Sequence, residues 1–101
     1  MKIQSIVLNG KATLRLSGRF QFDSHREFRA AYEPFVRDPA VTGLVLEMSA
    51  VEYLDSAALG MLLLLREKLA QENKVVELTG TQGAARQVLE IANFGRLFSI
   101  S

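Results

Sequence analysis

Val51-Glu52-Tyr53-Leu54-Asp55-Ser56-Ala57-Ala58-Leu59-Gly60 is the stretch that decides the fold, because it joins a buried-looking strand to an apolar helix through one Asp-Ser pair. Upstream, Val41 to Met48 contains Gly43-Leu44-Val45-Leu46, a near-continuous apolar run of the kind that fills a sheet centre. Downstream, a helix starts at Asp55 or Ser56 and runs to about Gln71. Leu59, Leu62, Leu63 and Leu69 lie on one side, and Met61, Leu64 and Leu65 widen the stripe. A helix this apolar packs on more than one surface or leaves part of its face for a partner. Arg66-Glu67-Lys68 reads as its solvated side.

Toward the N-terminus, Ile3 to Leu8 reads as a strand and Asn9-Gly10 as a tight hairpin turn. Ala12 to Ser17 alternates apolar and polar residues like a half-buried antiparallel partner, and Gly18 is expected to end it. Asp23-Ser24, with Glu27 three residues after Ser24, predicts a capped helix. Its buried stripe is Phe28, Ala31, Tyr32 and Phe35, and it kinks or ends near Pro34 to Arg37. Toward the C-terminus, Lys74 to Thr79 is a strand and Gly80-Thr81-Gln82-Gly83 a turn. A third helix carries Ala85, Val88, Leu89 and Ala92, with Gly95 at its C-terminal cap, and Leu97 to Ile100 is a last short strand. The order is β-β-α-β-α-β-α-β. After an opening hairpin, strands alternate with helices, which implies right-handed crossovers and a mostly parallel α/β sheet in a single domain over residues 1–101.

Composition narrows the function. Twelve basic and eleven acidic residues give a net charge of +1, and no basic run gathers them, so nucleic acid has no electrostatic footprint here. Without cysteine there is no disulfide and no thiolate metal site, which fits the cytoplasm. The longest apolar run, Ala57 to Leu65, is about half the ~20 residues that span a bilayer, so direct membrane insertion is not expected. One histidine and scattered carboxylates do not assemble a nucleophile, a base and an orienting group, which argues against an enzyme; no metal or cofactor is implied.

The Asp-Ser pair is the chemical feature that remains. Asp55 and Ser56 can simply cap the helix, worth about 1 kcal/mol. Backbone N–H groups at a helix start also attract anions. A phosphate on Ser56 would add about −1.5 to −2 charges at neutral pH. The two readings are compatible, with Asp55 capping and Ser56 in the first turn.

Leu44-Val45-Leu46-Glu47-Met48-Ser49, followed by Val51 to Gly60, resembles the signature of the STAS domain, the anti-sigma factor antagonist family. Leu16-Ser17-Gly18-Arg19-Phe20 and Phe94-Gly95-Arg96-Leu97-Phe98 extend the likeness to nearly the whole chain. The resemblance implies a STAS-like fold and a protein-binding function. It further implies phosphorylation of Ser56 by a serine kinase related to the histidine-kinase ATPases, and dephosphorylation by a PP2C-type phosphatase. The unphosphorylated form would bind an anti-sigma factor or similar regulator through Phe20, Gln21 and Asp23 after the second strand, and through Tyr53, Leu54, Asp55, Ala57, Ala58, Leu59 and Met61. Two departures stand out. Ala57 and Ala58 replace the usual second hydroxyl residue and glycine, and Gln21 stands where an acidic residue is usual, with Asp23 two residues on. The same family also serves as subunits of membrane transporters bound to ABC ATPases in lipid trafficking, which is the alternative reading.

Three weaker candidates complete the expectations. His25 reads as a solvated helix residue. Glu47, Glu52 and Asp55 read as an acidic group near the end of a strand. Tyr53 and Met61 are potential anchors, since aromatic residues and Met are enriched at interfaces.

Overall fold

The computed structural model describes all residues, 1–101. The opening hairpin pairs β1 (Lys2–Leu8) antiparallel with β2 (Lys11–Phe20), register Leu8↔Lys11. Asn9 (φ 51°) and Gly10 (φ 82°) both take positive φ, as a two-residue hairpin turn with the twist of its strands requires. Then follow α1 (His25–Val36), β3 (Gly43–Leu54), α2 (Ser56–Gln71), β4 (Val75–Thr79), α3 (Gly83–Ile91) and β5 (Ser99–Ile100). Single 3₁₀ turns stand at Phe22–Ser24 and Phe94–Arg96.

The sheet order is β1-β2-β3-β4-β5, with β2 to β5 parallel. Each parallel step moves in the same direction across the sheet. Right-handed crossovers therefore put all three helices on one face. The burial pattern agrees. Ala12, Leu14, Leu16, Leu44, Leu46, Met48, Val76 and Leu78 are buried beneath the helices. Their alternates Thr13, Arg15, Val45, Glu47, Glu77 and Thr79 face away and are exposed or half-buried. That open face carries ion pairs at Lys11–Glu77 (2.6 Å) and Arg15–Glu47 (3.9 Å), surface contacts worth about 0–1 kcal/mol each.

The helices bury the expected stripes with two changes. In α1, Phe28 and Tyr32 are buried, and Phe28 stacks obliquely on Phe20 at 4.9 Å between ring centres. Pro34 lies inside α1, which ends two residues later at Val36. The free carbonyls of that end are met by Lys74, whose Nζ donates to the backbone oxygens of Phe35 (3.0 Å), Val36 (2.7 Å) and Asp38 (2.8 Å). A cation there also opposes the negative end of the helix dipole. In α2 the buried stripe is Ala58, Met61, Leu62, Leu65 and Leu69, while Leu63 lies 37% exposed, off the core side assigned to it. In α3, Ala92 is exposed because the helix has already stopped at Ile91.

Five boundaries differ from expectation, each for a local reason. The last strand is Ser99–Ile100 and not Leu97 to Ile100, because the N–H groups of Leu97 (3.0 Å) and Phe98 (2.9 Å) donate to the Phe94 carbonyl in the preceding turn. β2 continues through Gly18, which sits at positive φ (97°) beside a register shift, so the glycine kinks the strand and does not end it. β3 runs six residues past Met48, because Ala50, Val51, Tyr53 and Leu54 pair with the far end of β2 after β4 has ended at the Glu47↔Thr79 pair. Ser24 makes no side-chain cap to α1, since its hydroxyl donates to the Arg19 carbonyl (3.1 Å) and accepts from the Gln21 N–H (3.3 Å). Gly95 belongs to the second 3₁₀ turn; the left-handed residue after α3 is Asn93 (φ 58°).

Candidate functional site at the start of the second long helix

The overrun of β2 and β3 brings the chain after Phe20 beside the start of α2. Asp55 ties the two together. Its backbone N–H donates to the Phe20 carbonyl (3.3 Å). Its carboxylate accepts from the Ala58 N–H through Oδ1 (2.8 Å) and from the Phe22 N–H through Oδ2 (3.1 Å). One side chain thus caps α2 and fixes the loop that follows β2.

Ser56 is the first residue of α2, and it is exposed. The first helical bond runs from the Leu59 N–H to the Asp55 carbonyl (3.3 Å), and Asp55 Oδ1 takes the Ala58 N–H. The N–H groups of Ser56 and Ala57 precede both bonds, at the positive end of a sixteen-residue helix. An anion on Ser56 would be favoured by these groups and opposed by Asp55 and Glu52. The hydroxyl stands at a position where charge can be added without unfolding the helix.

Beside Ser56 lies a groove of about 630 Å³. Phe22, His25 and Arg26 form one wall, and Ala57, Gly60, Met61 and Leu64 the other, with Asp23 at the rim. Phe22 is 77% exposed and Leu64 40% exposed, so apolar surface opens to solvent on both sides. At Gly60 a Cβ would meet nothing within 4 Å, so nothing in the fold requires a glycine there. Its missing side chain keeps the groove open.

The expected contact residues divide into two groups. Gln21, Asp23, Tyr53, Asp55, Ala57 and Leu59 lie at least partly at the surface around Ser56, and Met61 closes the groove although only 8% of it is exposed. Arg19 lies over the Tyr53 ring at 4.5 Å, a cation–π contact between register neighbours that holds the ring at the edge of the site. Phe20, Leu54 and Ala58 are corrected: they are 0, 2 and 0% exposed and support the surface without belonging to it. The paired ends of β2 and β3 turn the first two into the core, and the third is on the buried stripe of α2.

The acidic group also separates. Glu47 lies on the open sheet face, bound to the Ser49 hydroxyl (2.9 Å) and near Arg15, five residues and about 16 Å along β3 from Glu52. The residues that sequence reasoning missed are Phe22 and Arg26, and His25 is a groove wall as well as an exposed helix residue. A signal for Phe22 was present: a large apolar residue between Gln21 and Asp23, just after a strand, has no core position to fill.

A five-stranded sheet covered by helices on one face, with an exposed serine at the start of the helix following its central strand, defines a class of small α/β domain. The chain belongs to the STAS domain family: the family model described as "Mlab, STAS domain" matches residues 7–99. A STAS-domain containing protein of Pseudomonas aeruginosa (strain UCBPP-PA14) is 43% identical over 89 residues, covering 88% of this chain and 86% of the relative. Among solved structures, an anti-sigma factor antagonist from Mycobacterium paratuberculosis superposes with a TM-score of 0.86 at 23% identity, covering 98% of this chain and 83% of that one. The Bacillus cell fate determinant SpoIIAA in its phosphorylated form gives a TM-score of 0.72 at 20% identity, covering 99% and 91%. A sulfate transporter family protein from Wolinella succinogenes gives 0.77 at 17% identity, covering 93% and 75%. The fold is therefore that of the anti-sigma factor antagonists. No helix is long and apolar enough to cross a membrane.

Proposed function

We propose that this chain is an anti-sigma factor antagonist that works by partner switching in the cytoplasm, as one STAS domain over residues 1–101. In its unmodified form it binds an anti-sigma factor or similar regulator across the groove beside Ser56. A serine kinase of the histidine-kinase-like ATPase type phosphorylates Ser56 and releases the partner, and a PP2C-type phosphatase restores binding. The observation that carries this reading is the exposed Ser56 hydroxyl, next to a groove whose apolar side chains Phe22 and Leu64 are open to solvent. Gln21, Asp23, Tyr53, Asp55, Ala57, Leu59 and Met61 are the proposed partner-side residues, with Phe22 added. The similarity to SpoIIAA, whose structure exists in a phosphorylated form, supports the same assignment.

The physics of release is desolvation. In an interface the phosphate would lose water next to Asp55 and Glu52, and an unpaired buried charge is costly. A loss of about 3 kcal/mol weakens binding by roughly a hundredfold, without any large change of shape. Ser56→Asp is expected to weaken binding to the co-purifying partner by that factor, and Ser56→Ala to preserve it. Equal affinity of the two variants, by calorimetric titration, would remove the switch.

The second reading, a constitutive STAS subunit of an ABC-type lipid transporter, uses the same helix face. The likeness to a sulfate transporter family protein favours keeping it in view. Its signature is an unmodified Ser56 in a stable complex with a transporter ATPase.

A further inference from the structure

The hairpin strand β1 is a free edge of the sheet. The opposite edge, β5, has only two residues. Because Leu8 and Lys11 flank a two-residue turn, they form a hydrogen-bonded pair, and the alternation continues back through Ile6, Gln4 and Lys2. The N–H and C=O groups of Ile3, Ser5 and Val7 therefore point outward, away from β2. Unpaired strand edges are templates for another strand, and proteins usually blunt them with proline, bulges or inward charges. β1 has none of these between Ile3 and Leu8, and its pairing with β2 is unbroken over all seven residues.

The side chains add to the exposure. Ile6 is 65% exposed, Leu8 68% and Val7 48%. Ser5 and Val7 are on the helix-covered side of the sheet yet remain exposed, so α1, although it packs close to β1, leaves these two side chains open.

We infer that β1 is a self-association surface: two copies of this chain pair β1 to β1 antiparallel about a two-fold axis at Ser5, extending two five-stranded sheets into one. The sequence Lys2-Ile3-Gln4-Ser5-Ile6-Val7-Leu8 is complementary to itself in that register. Ser5 faces Ser5 of the second copy, and Ile3 faces Val7, so every outward N–H and C=O of the strand is paired. On the open face Gln4 meets Ile6 and Lys2 meets Leu8, so no like charges face each other; a parallel, in-register pairing would set Lys2 against Lys2. A seven-residue strand offers about 23 Å of edge. That is a small interface, under about 1,200 Å² in total, so the dimer is reversible and micromolar or weaker. None of the groove residues near Ser56 belongs to β1, which leaves both copies able to bind a partner.

Sedimentation velocity of the full chain from ~10 μM to ~1 mM, where weak small interfaces become populated, tests the association. The wild-type mass average should rise from monomer toward dimer. Val7→Pro removes an outward N–H and leaves the β2 ladder intact, as proline on an edge strand can, and should stay monomeric with an unchanged circular dichroism spectrum. Ile6→Lys, which sets a charge opposite Gln4 and diagonal to Lys2 of the second copy, should also stay monomeric. Amide hydrogen exchange reads the register independently: Ile3, Ser5 and Val7 should gain protection with concentration, while Gln4 and Ile6 should not change. A wild type that is monomeric throughout, a dimer that Val7→Pro leaves intact, or concentration-dependent protection confined to the Ser56 groove would overturn the proposal.

Discussion

Asp23-Ser24 and Asp55-Ser56 are the same dipeptide placed before a helix, and the structure uses them in opposite ways. In the first, serine is the fixed member: Ser24 is 1% exposed and its hydroxyl is bonded to both Arg19 and Gln21 main chain, while Asp23 is exposed. In the second, aspartate is the fixed member: Asp55 holds the N–H groups of Ala58 and Phe22, and Ser56 is exposed. The difference comes from what precedes each pair. Ser24 closes a 3₁₀ turn that folds its side chain back toward the end of β2, whereas Asp55 is held extended (φ −108°, ψ 179°) just after β3, in the backbone state of an N-cap. The dipeptide alone does not decide which of its members stays exposed; the backbone conformation leading into the helix does.

The sharpest way to break this comparison is to place a carboxylate at each serine. Ser24→Asp would bury a charge facing the Arg19 carbonyl and is expected to cost about 3 kcal/mol or more, enough to threaten folding of a small domain. Ser56→Asp should change stability by less than about 0.5 kcal/mol, as a surface substitution. Urea unfolding of both variants reads the contrast; comparable losses would mean that Ser56 is not the free member.

Removing the aspartates should reverse the ranking. Asp55→Ala loses a cap and a charged acceptor for Phe22, an expected cost of about 2 kcal/mol. Asp23→Ala should be close to neutral. Thermal melts are sensitive enough, since 1 kcal/mol shifts the midpoint of a ~100-residue domain by about 4–8 °C. The smallest contrast is between alanines at the serines: Ser24→Ala should cost about 1–2 kcal/mol for the bonds it strands, and Ser56→Ala almost nothing.

How much of this was legible in the sequence follows the strength of the local signals. The element order, the Asn9-Gly10 hairpin and the stripe through Phe28 and Tyr32 were readable because periodicity and turn chemistry agree there. The length of β3 was not, because Ser49, Ala50 and Glu52 interrupt the apolar pattern; beyond Glu47 only β2 pairs with β3, and the register shifts there leave Ser49 and Glu52 without a partner. That overrun is what carries the loop of Phe22 to Ser56. Phe22 carries a local signal as a large apolar residue just after a strand, but the groove it lines is assembled by tertiary pairing and leaves no trace in the sequence. Ser56 itself was readable, both as a helix start and through the STAS resemblance. The buried state of Phe20, Leu54 and Ala58 was not, since a family pattern marks supporting and contacting residues alike.

The most direct test of the account is phosphopeptide mass spectrometry on the protein isolated from its native cell, comparing the partner-bound pool with the free pool. The account predicts phosphate on Ser56 in the free pool, an unmodified Ser56 in the bound pool, and no phosphate on Ser24 in either. An unmodified Ser56 in both pools, or the same occupancy in both, would contradict a switch at this position.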